Sequence, residues 1–220
     1  MSLGLIFDID GTLVTFRFDV RGTRRELIAE LTKDGFDTSD LTLSSPTQRI
    51  MDAARGQVVA GKVRTDYPSL KQRLYSILDR FEMESSMNAS LFPGTVETLR
   101  FLRSRSAKLG VLTNSGRKSA EEVLNRYSLA EFFDFVLTRE DVDEMKPSPE
   151  GIHRAVSMFS LPKESLYYVG DSLYDIIAAK EAGLKVVSVA TGNYTAQKLR
   201  EEGADIVIDS LPSLPRVLRL

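Results

Sequence analysis

Short apolar runs alternate with segments of helical spacing along most of this chain. Leu5-Ile6-Phe7 is an unbroken apolar run that stops at charged residues, which predicts a buried strand. From residue 107 onward the same run recurs at 108–112, 135–137, 166–169, 185–189 and 205–208. Between these runs, residues 115–127, 149–159, 172–182 and 196–202 carry apolar positions at helical spacing, and a short helix is expected at the end of the chain. Gly183 and Gly203 stand where two of these helices should stop. Strands separated by helices cannot pair as hairpins. They predict an α/β fold with a doubly wound parallel sheet.

Residues 16–91 follow another pattern. Helical spacing appears at 24–31, 47–59 and 69–81, with no convincing strand between. Loops rich in Gly, Asp, Ser and Pro separate these segments, and Phe92-Pro93-Gly94 marks a return point. The simplest organisation is a helical domain inserted after the first strand. The expected boundaries are 1–13 and 93–220 for the α/β core and 14–92 for the insertion.

Composition narrows the picture only slightly. The chain has 220 residues, enough for one large domain or for a core with a smaller companion. A net charge of −2 argues against nucleic acid as the main partner. There is no cysteine, hence no disulfide framework and no thiolate zinc site. No run approaches membrane-spanning length and no signal-type leader opens the chain, so a cytoplasmic protein with no membrane partner is the expectation.

Candidate chemistry gathers where the strands end. Asp8 and Asp10 follow the first apolar run, with Gly11 immediately after. If strand geometry persists, their side chains share a face, and two like charges held together need a cation or a shared proton. Thr113-Asn114-Ser115 follows the second strand, and Ser115 is a reasonable helix N-cap. Lys146 precedes Pro147 in a loop before the 149–159 helix, and Asp171 and Asp175 follow the 166–169 strand. Taken singly, each residue has a plainer meaning as a turn, a cap or a solvated charge. As a set they fall on one edge of one sheet, where such folds bind ligands. A carboxylate can attack phosphorus, and a second can move the proton. A hydroxyl and a lysine can neutralise phosphoryl oxygens, and hard oxygen ligands suit magnesium.

At these residues the chain resembles the haloacid dehalogenase superfamily, in its capped phosphatase branch similar to phosphoglycolate phosphatase. Asp8-Ile9-Asp10-Gly11-Thr12 matches the first motif, Thr113-Asn114 the second, Lys146-Pro147 the third, and Gly170-Asp171 with Asp175 the fourth. Order and spacing agree over the whole chain. The resemblance implies a Mg2+-dependent hydrolase acting on a small phosphorylated metabolite, with Asp8 as nucleophile and Asp10 as general acid and base. It implies that Thr113, with Asn114, binds the phosphoryl group and that Lys146 orients Asp8. The implied metal ligands are Asp8, the backbone carbonyl of Asp10, and Asp171, with Asp175 as a ligand or a support behind it. The 14–92 insertion takes the place of the family's cap, a mobile lid hinged near Val14-Thr15 and Phe92-Pro93-Gly94.

The insertion departs from many capped relatives after Leu13, reading Val14-Thr15-Phe16-Arg17-Phe18. Its 12 Lys and Arg against 11 Asp and Glu single out no substrate. Arg17, Arg21, Arg24 and Arg25 form a basic cluster, read either as a solvated helix face or, through Arg17 and Arg21, as contacts to an anionic substrate. A sugar-phosphate mutase, a 2-haloacid dehalogenase and a phospho-accepting signalling receiver use related sets of groups and remain alternatives. His153, the sole histidine, is expected on a helix, as a surface or packed residue rather than a catalyst.

Overall fold

The computed structural model describes residues 3–15 and 17–220. In chain order the elements are β1 (Gly4–Phe7), α1 (Val20–Lys33), α2 (Thr47–Val59), α3 (Tyr67–Met87), α4 (Thr95–Ser104), β2 (Lys108–Leu112) and α5 (Arg117–Arg126). There follow β3 (Phe135–Leu137), α6 (Glu150–Phe159), β4 (Leu166–Gly170), α7 (Leu173–Glu181), β5 (Lys185–Val189), α8 (Ala196–Glu201), β6 (Ile206–Ile208) and α9 (Leu214–Val217). The chain divides into two compact units, Met1–Phe16 with Ser86–Leu220, and Arg17–Ser85.

The larger unit is built on a six-stranded sheet in the order β3-β2-β1-β4-β5-β6, parallel throughout. This is the α/β doubly wound architecture that the alternating pattern predicts. Successive residues of each strand feed opposite faces. Leu5, Phe7, Val111 and Val187 pack with Leu99 and Leu102 of α4 and Val123 and Leu124 of α5. Ile6, Leu112, Tyr168 and Val186 pack with Ile152 and Phe159 of α6 and Ile176 and Ala179 of α7. Helices on both faces explain why the strands read as continuous apolar runs rather than alternating ones. Strand order reverses beside β1, which pairs with β2 on one side and β4 on the other. The carboxyl ends of β1 and β4 therefore border the crevice where open α/β sheets bind ligands.

One helix of the core goes unread in the sequence pattern. Helix α4 was not expected, although Val96, Leu99 and Leu102 have helical spacing, and it supplies Leu99 and Leu102 to the core. Val14, Thr15 and residues 86–92 group with the larger unit. Val14 bridges Leu91, the Thr15 N–H donates to the Ser90 carbonyl at 2.7 Å, and the Phe92 N–H donates to the Leu13 carbonyl at 3.1 Å. Local periodicity cannot report such pairings, because they join residues some 75 positions apart.

The Arg17–Ser85 unit is helical, with its own core of Leu27, Leu31, Phe36, Ile50, Met51, Ala54, Leu70, Leu74 and Leu78. Arg73 pairs with Glu30 and Asp34, and Arg80 with Glu26, tying α3 to α1 across the surface. Asp19 caps α1, its carboxylate accepting from the Gly22 N–H at 2.8 Å. No helix among the described residues is long and apolar enough to cross a membrane.

Candidate active site

The site starts with the end of a strand. β1 stops at Phe7, but the Asp8 N–H still donates to the Val169 carbonyl at 2.9 Å, so Asp8 remains tied to β4. Parity along β1 puts Asp8 on the Ile6 side of the sheet, the side covered by α6 and α7. The chain then turns at Gly11, whose φ of +83° falls in the left-handed region that glycine adopts without strain. Beyond the strand end Asp8 and Asp10 take different partners. Asp10 is half-buried, and its Oδ2 accepts the Ser115 hydroxyl at 2.5 Å. Ser115 is thus not the cap of α5. That position falls to Gly116.

Lys146 is the hub. Its side chain is buried, and Nζ donates to Asp8 Oδ1 at 2.8 Å, Asp175 Oδ1 at 2.7 Å and the Tyr168 phenol oxygen at 2.7 Å. Its loop is held by Asn114. The Lys146 N–H donates to Asn114 Oδ1, and Asn114 Nδ2 donates to the Lys146 carbonyl, each at 2.9 Å. Each end of that amide thus has a partner on the Lys146 backbone, with a second N–H left over. Thr113 is buried, and its Oγ1 accepts the Ser115 N–H at 3.0 Å. That leaves the hydroxyl proton to serve as a donor.

Asp171 and Asp175 follow β4. Ser172 caps α7, and Asp175 completes a capping box, its Oδ2 accepting the Ser172 N–H at 3.0 Å and the Ser172 hydroxyl at 2.6 Å. Its other oxygen faces Lys146 and the Tyr168 hydroxyl, so one carboxylate orders both the helix start and the lysine. Asp171 is wedged between two glycines. A Cβ on Gly11 or on Gly192 would overlap its carboxylate. Thr12 Oγ1 donates to Asp171 Oδ1 at 3.4 Å, and Thr191 Oγ1 donates to the Gly11 carbonyl at 2.6 Å, closing the loop after β5 onto this turn.

Charge in the cluster is unbalanced. Asp8, Asp171 and Asp175 are all buried, and one carboxylate oxygen of each lies within 4.8 Å of the others. Burial pushes the Asp8 carboxyl up to about 7, more than Lys146 lowers it, and Asp175 and Asp10 add to the rise. Burial, reinforced by Asp175 and Asp8, pushes Asp171 up to about 8. Desolvation alone would lower the Lys146 ammonium, but Asp175 and Asp8 outweigh it and hold its pKa well above the usual value. Burial and the adjacent Asp175 likewise keep the Tyr168 phenol protonated. Three buried carboxylates with oxygen donors this close, and this reluctant to ionise, fit a hard divalent cation.

A family model described as haloacid dehalogenase-like hydrolase matches residues 5–189. The chain belongs to this family. Among its relatives in the family is a phosphoglycolate phosphatase from Caulobacter vibrioides, 31% identical over 217 residues, covering 96% of this chain and 89% of that protein. Another is a probable phosphatase, IndB, from Dickeya dadantii, 28% identical over 208 residues, covering 94% and 89%. A solved structure from Bacteroides fragilis, described as a haloacid dehalogenase-like hydrolase, superposes with a TM-score of 0.69 at 24% identity, covering 97% of this chain and all of that one. This member of the family keeps Asp8, Lys146, Asp171 and Asp175 in one connected cluster, with Asp10 and Thr113 each joined to Ser115.

Arg17, Arg21 and Arg25 belong to the helical unit and are exposed, while half-buried Arg24 donates to the Leu43 carbonyl at 3.1 Å. His153 is exposed on α6. Sequence reading missed the contacts of Ser115, Tyr168, Thr191 and Gly192. Each acts on a residue far away in the chain, and none has a local pattern that announces it.

Proposed function

We propose that this protein is a cytoplasmic, magnesium-dependent phosphatase that hydrolyses a small phosphorylated metabolite through an aspartyl-phosphate. The observation that carries the reading is the Lys146–Asp8 pair beside Asp171 at the point where strand order reverses. Asp8 attacks phosphorus, and the bond to the leaving oxygen breaks. Asp10 protonates that oxygen. Asp10 then takes a proton from water, which attacks the phosphorus, and the bond to Asp8 breaks to release inorganic phosphate. Thr113 donates its hydroxyl to a phosphoryl oxygen, and Lys146 holds Asp8 and offsets the charge. Asp8, Asp171 and the Asp10 carbonyl would hold Mg2+, with Asp175 as a further oxygen donor or the support of Lys146. Bound there, the ion supplies electrostatic stabilisation of a crowded anionic centre.

The core recognises a phosphoryl group, so the helical insertion, residues 14–92 in the sequence reading, is assigned the choice of metabolite as a lid, with Arg17 and Arg21 as its first candidate contacts. The test is a panel of phosphorylated metabolites assayed with magnesium and with chelator. Released phosphate that requires the metal is expected. An isomerised sugar phosphate in its place would make the protein a mutase, and a stable phospho-Asp8 without turnover would make it a receiver. Arg17→Ala and Arg21→Ala should change the ranking of the metabolites while sparing p-nitrophenyl phosphate. An unchanged ranking removes these arginines from the substrate site.

A further inference from the structure

We propose that Tyr168 is a positioning residue for the nucleophile, its phenol oxygen taking the third proton of the Lys146 ammonium and so fixing how that ammonium meets Asp8. An ammonium has three N–H donors. Lys146 has three short acceptors, Asp8 Oδ1 at 2.8 Å, Asp175 Oδ1 at 2.7 Å and the Tyr168 oxygen at 2.7 Å, while the Leu112 carbonyl lies farther off at 3.3 Å. With one acceptor per proton, rotation about the terminal bond is fixed and the proton facing Asp8 has a single direction. The Tyr168 hydroxyl keeps a donor role of its own, toward Asp175 Oδ1 at 3.0 Å or the Leu112 carbonyl at 3.1 Å. Tyr168 and Asp175 are fully buried and Lys146 is 5% exposed, so water is a poor substitute for any missing partner.

The strand explains why residue 168 can do this. It pairs with Ile6, two positions before Asp8, and shares Ile6's face of the sheet. Its neighbour Tyr167 belongs to the opposite face, with Lys185 Nζ 5.8 Å from its ring. A phenylalanine at 168 would fill nearly the same space. The hydroxyl alone completes the lysine's set of acceptors, and without it the third proton must swing toward the Leu112 carbonyl and loosen the hold on Asp8.

The inference rests on the phosphatase reading, and its test separates the two. Wild type, Tyr168→Phe and the control Tyr167→Phe are assayed as full-length chains with magnesium on p-nitrophenyl phosphate. Loss of a group that orients an active-site residue lowers activity on the order of 10- to 100-fold. That loss is expected in the kcat of Tyr168→Phe, with KM within about threefold of wild type and Tyr167→Phe within about twofold in both. Beryllofluoride with magnesium, a mimic of a phosphorylated aspartate, is titrated calorimetrically as a readout free of turnover. Tyr168→Phe should bind it at least about tenfold more weakly. If wild type turns over no phosphomonoester, the phosphatase reading fails and the beryllofluoride comparison still judges Tyr168. Equal kcat or equal beryllofluoride affinity in wild type and Tyr168→Phe overturns the positioning role. So does an equal loss in Tyr167→Phe. Should Tyr168→Phe not fold, Tyr168→Met carries the same test, and misfolding of both makes Tyr168 a packing residue and overturns the proposal.

Discussion

One lysine stands among the carboxylates of Asp8, Asp171 and Asp175, and at the residue scale that imbalance sets what each substitution should do. Asp8→Asn would remove the proposed nucleophile, so steady-state phosphate release should fall at least about a thousandfold. It also deletes a carboxylate that burial holds at about 7, relieving repulsion with Asp175 and Asp10. The metal-free variant should therefore melt no lower than metal-free wild type at pH 8. A residual rate within tenfold of wild type would remove Asp8 from its role. Gly192→Ala tests the packing of Asp171. A Cβ there collides with the Asp171 carboxylate, and the loop cannot easily retreat while Thr191 is bonded to the Gly11 carbonyl. Asp171 must move, so the magnesium concentration for half-maximal rate should rise about tenfold or more. An unchanged magnesium titration would show that the loop yields instead.

At the scale of elements, the strands were legible because a sheet covered on both faces leaves a local trace, an apolar run of strand length. The helix stops at Gly183 and Gly203 were legible for a similar reason, since a left-handed φ at a helix end favours glycine. Ser115 was misread because a serine before a helix looks like a cap, while its hydroxyl binds Asp10, 105 residues away. The hold of Asn114 on the Lys146 backbone was hidden for the same cause, its partner lying 32 residues on. Motif residues announce themselves through residue type and place at a strand end. The residues that aim them do not. Helix α7 combines both kinds, since Ser172 caps it and also binds the Asp175 oxygen that faces away from Lys146. Ser172→Ala should cost about 1 kcal/mol of stability through the lost cap. It should also lower kcat severalfold by releasing one side of Asp175. Thermal melting and steady-state kinetics on the same preparation check this, and a stability loss with unchanged kcat would confine Ser172 to capping.

For the whole molecule, the acids gathered where strand order reverses couple folding to pH and to metal. In the unfolded chain an aspartate titrates near 3.8, whereas the folded, metal-free protein holds Asp8 at about 7 and Asp171 at about 8. Between these limits the folded state binds more protons than the unfolded state, so stability falls as pH rises through the window and levels off above about 8. The other acids with shifted values, Asp37, Asp66 and Asp205, are lowered, so their effect lies at more acid pH. A cation bound by the ionised cluster offsets that slope. It favours the deprotonated folded state, releases protons on binding, and binds more tightly as pH approaches 8. In chelator, the melting temperature should drop by about 4 °C or more between pH 6 and pH 8.5. Millimolar magnesium should restore most of that loss at pH 8.5 and little at pH 6. Asp8→Asn should flatten the chelator curve, because one of the two raised carboxyls is gone. A melting temperature that rises with pH in chelator would mean that the buried acids ionise without cost, and the case for a cation among them would fall with it.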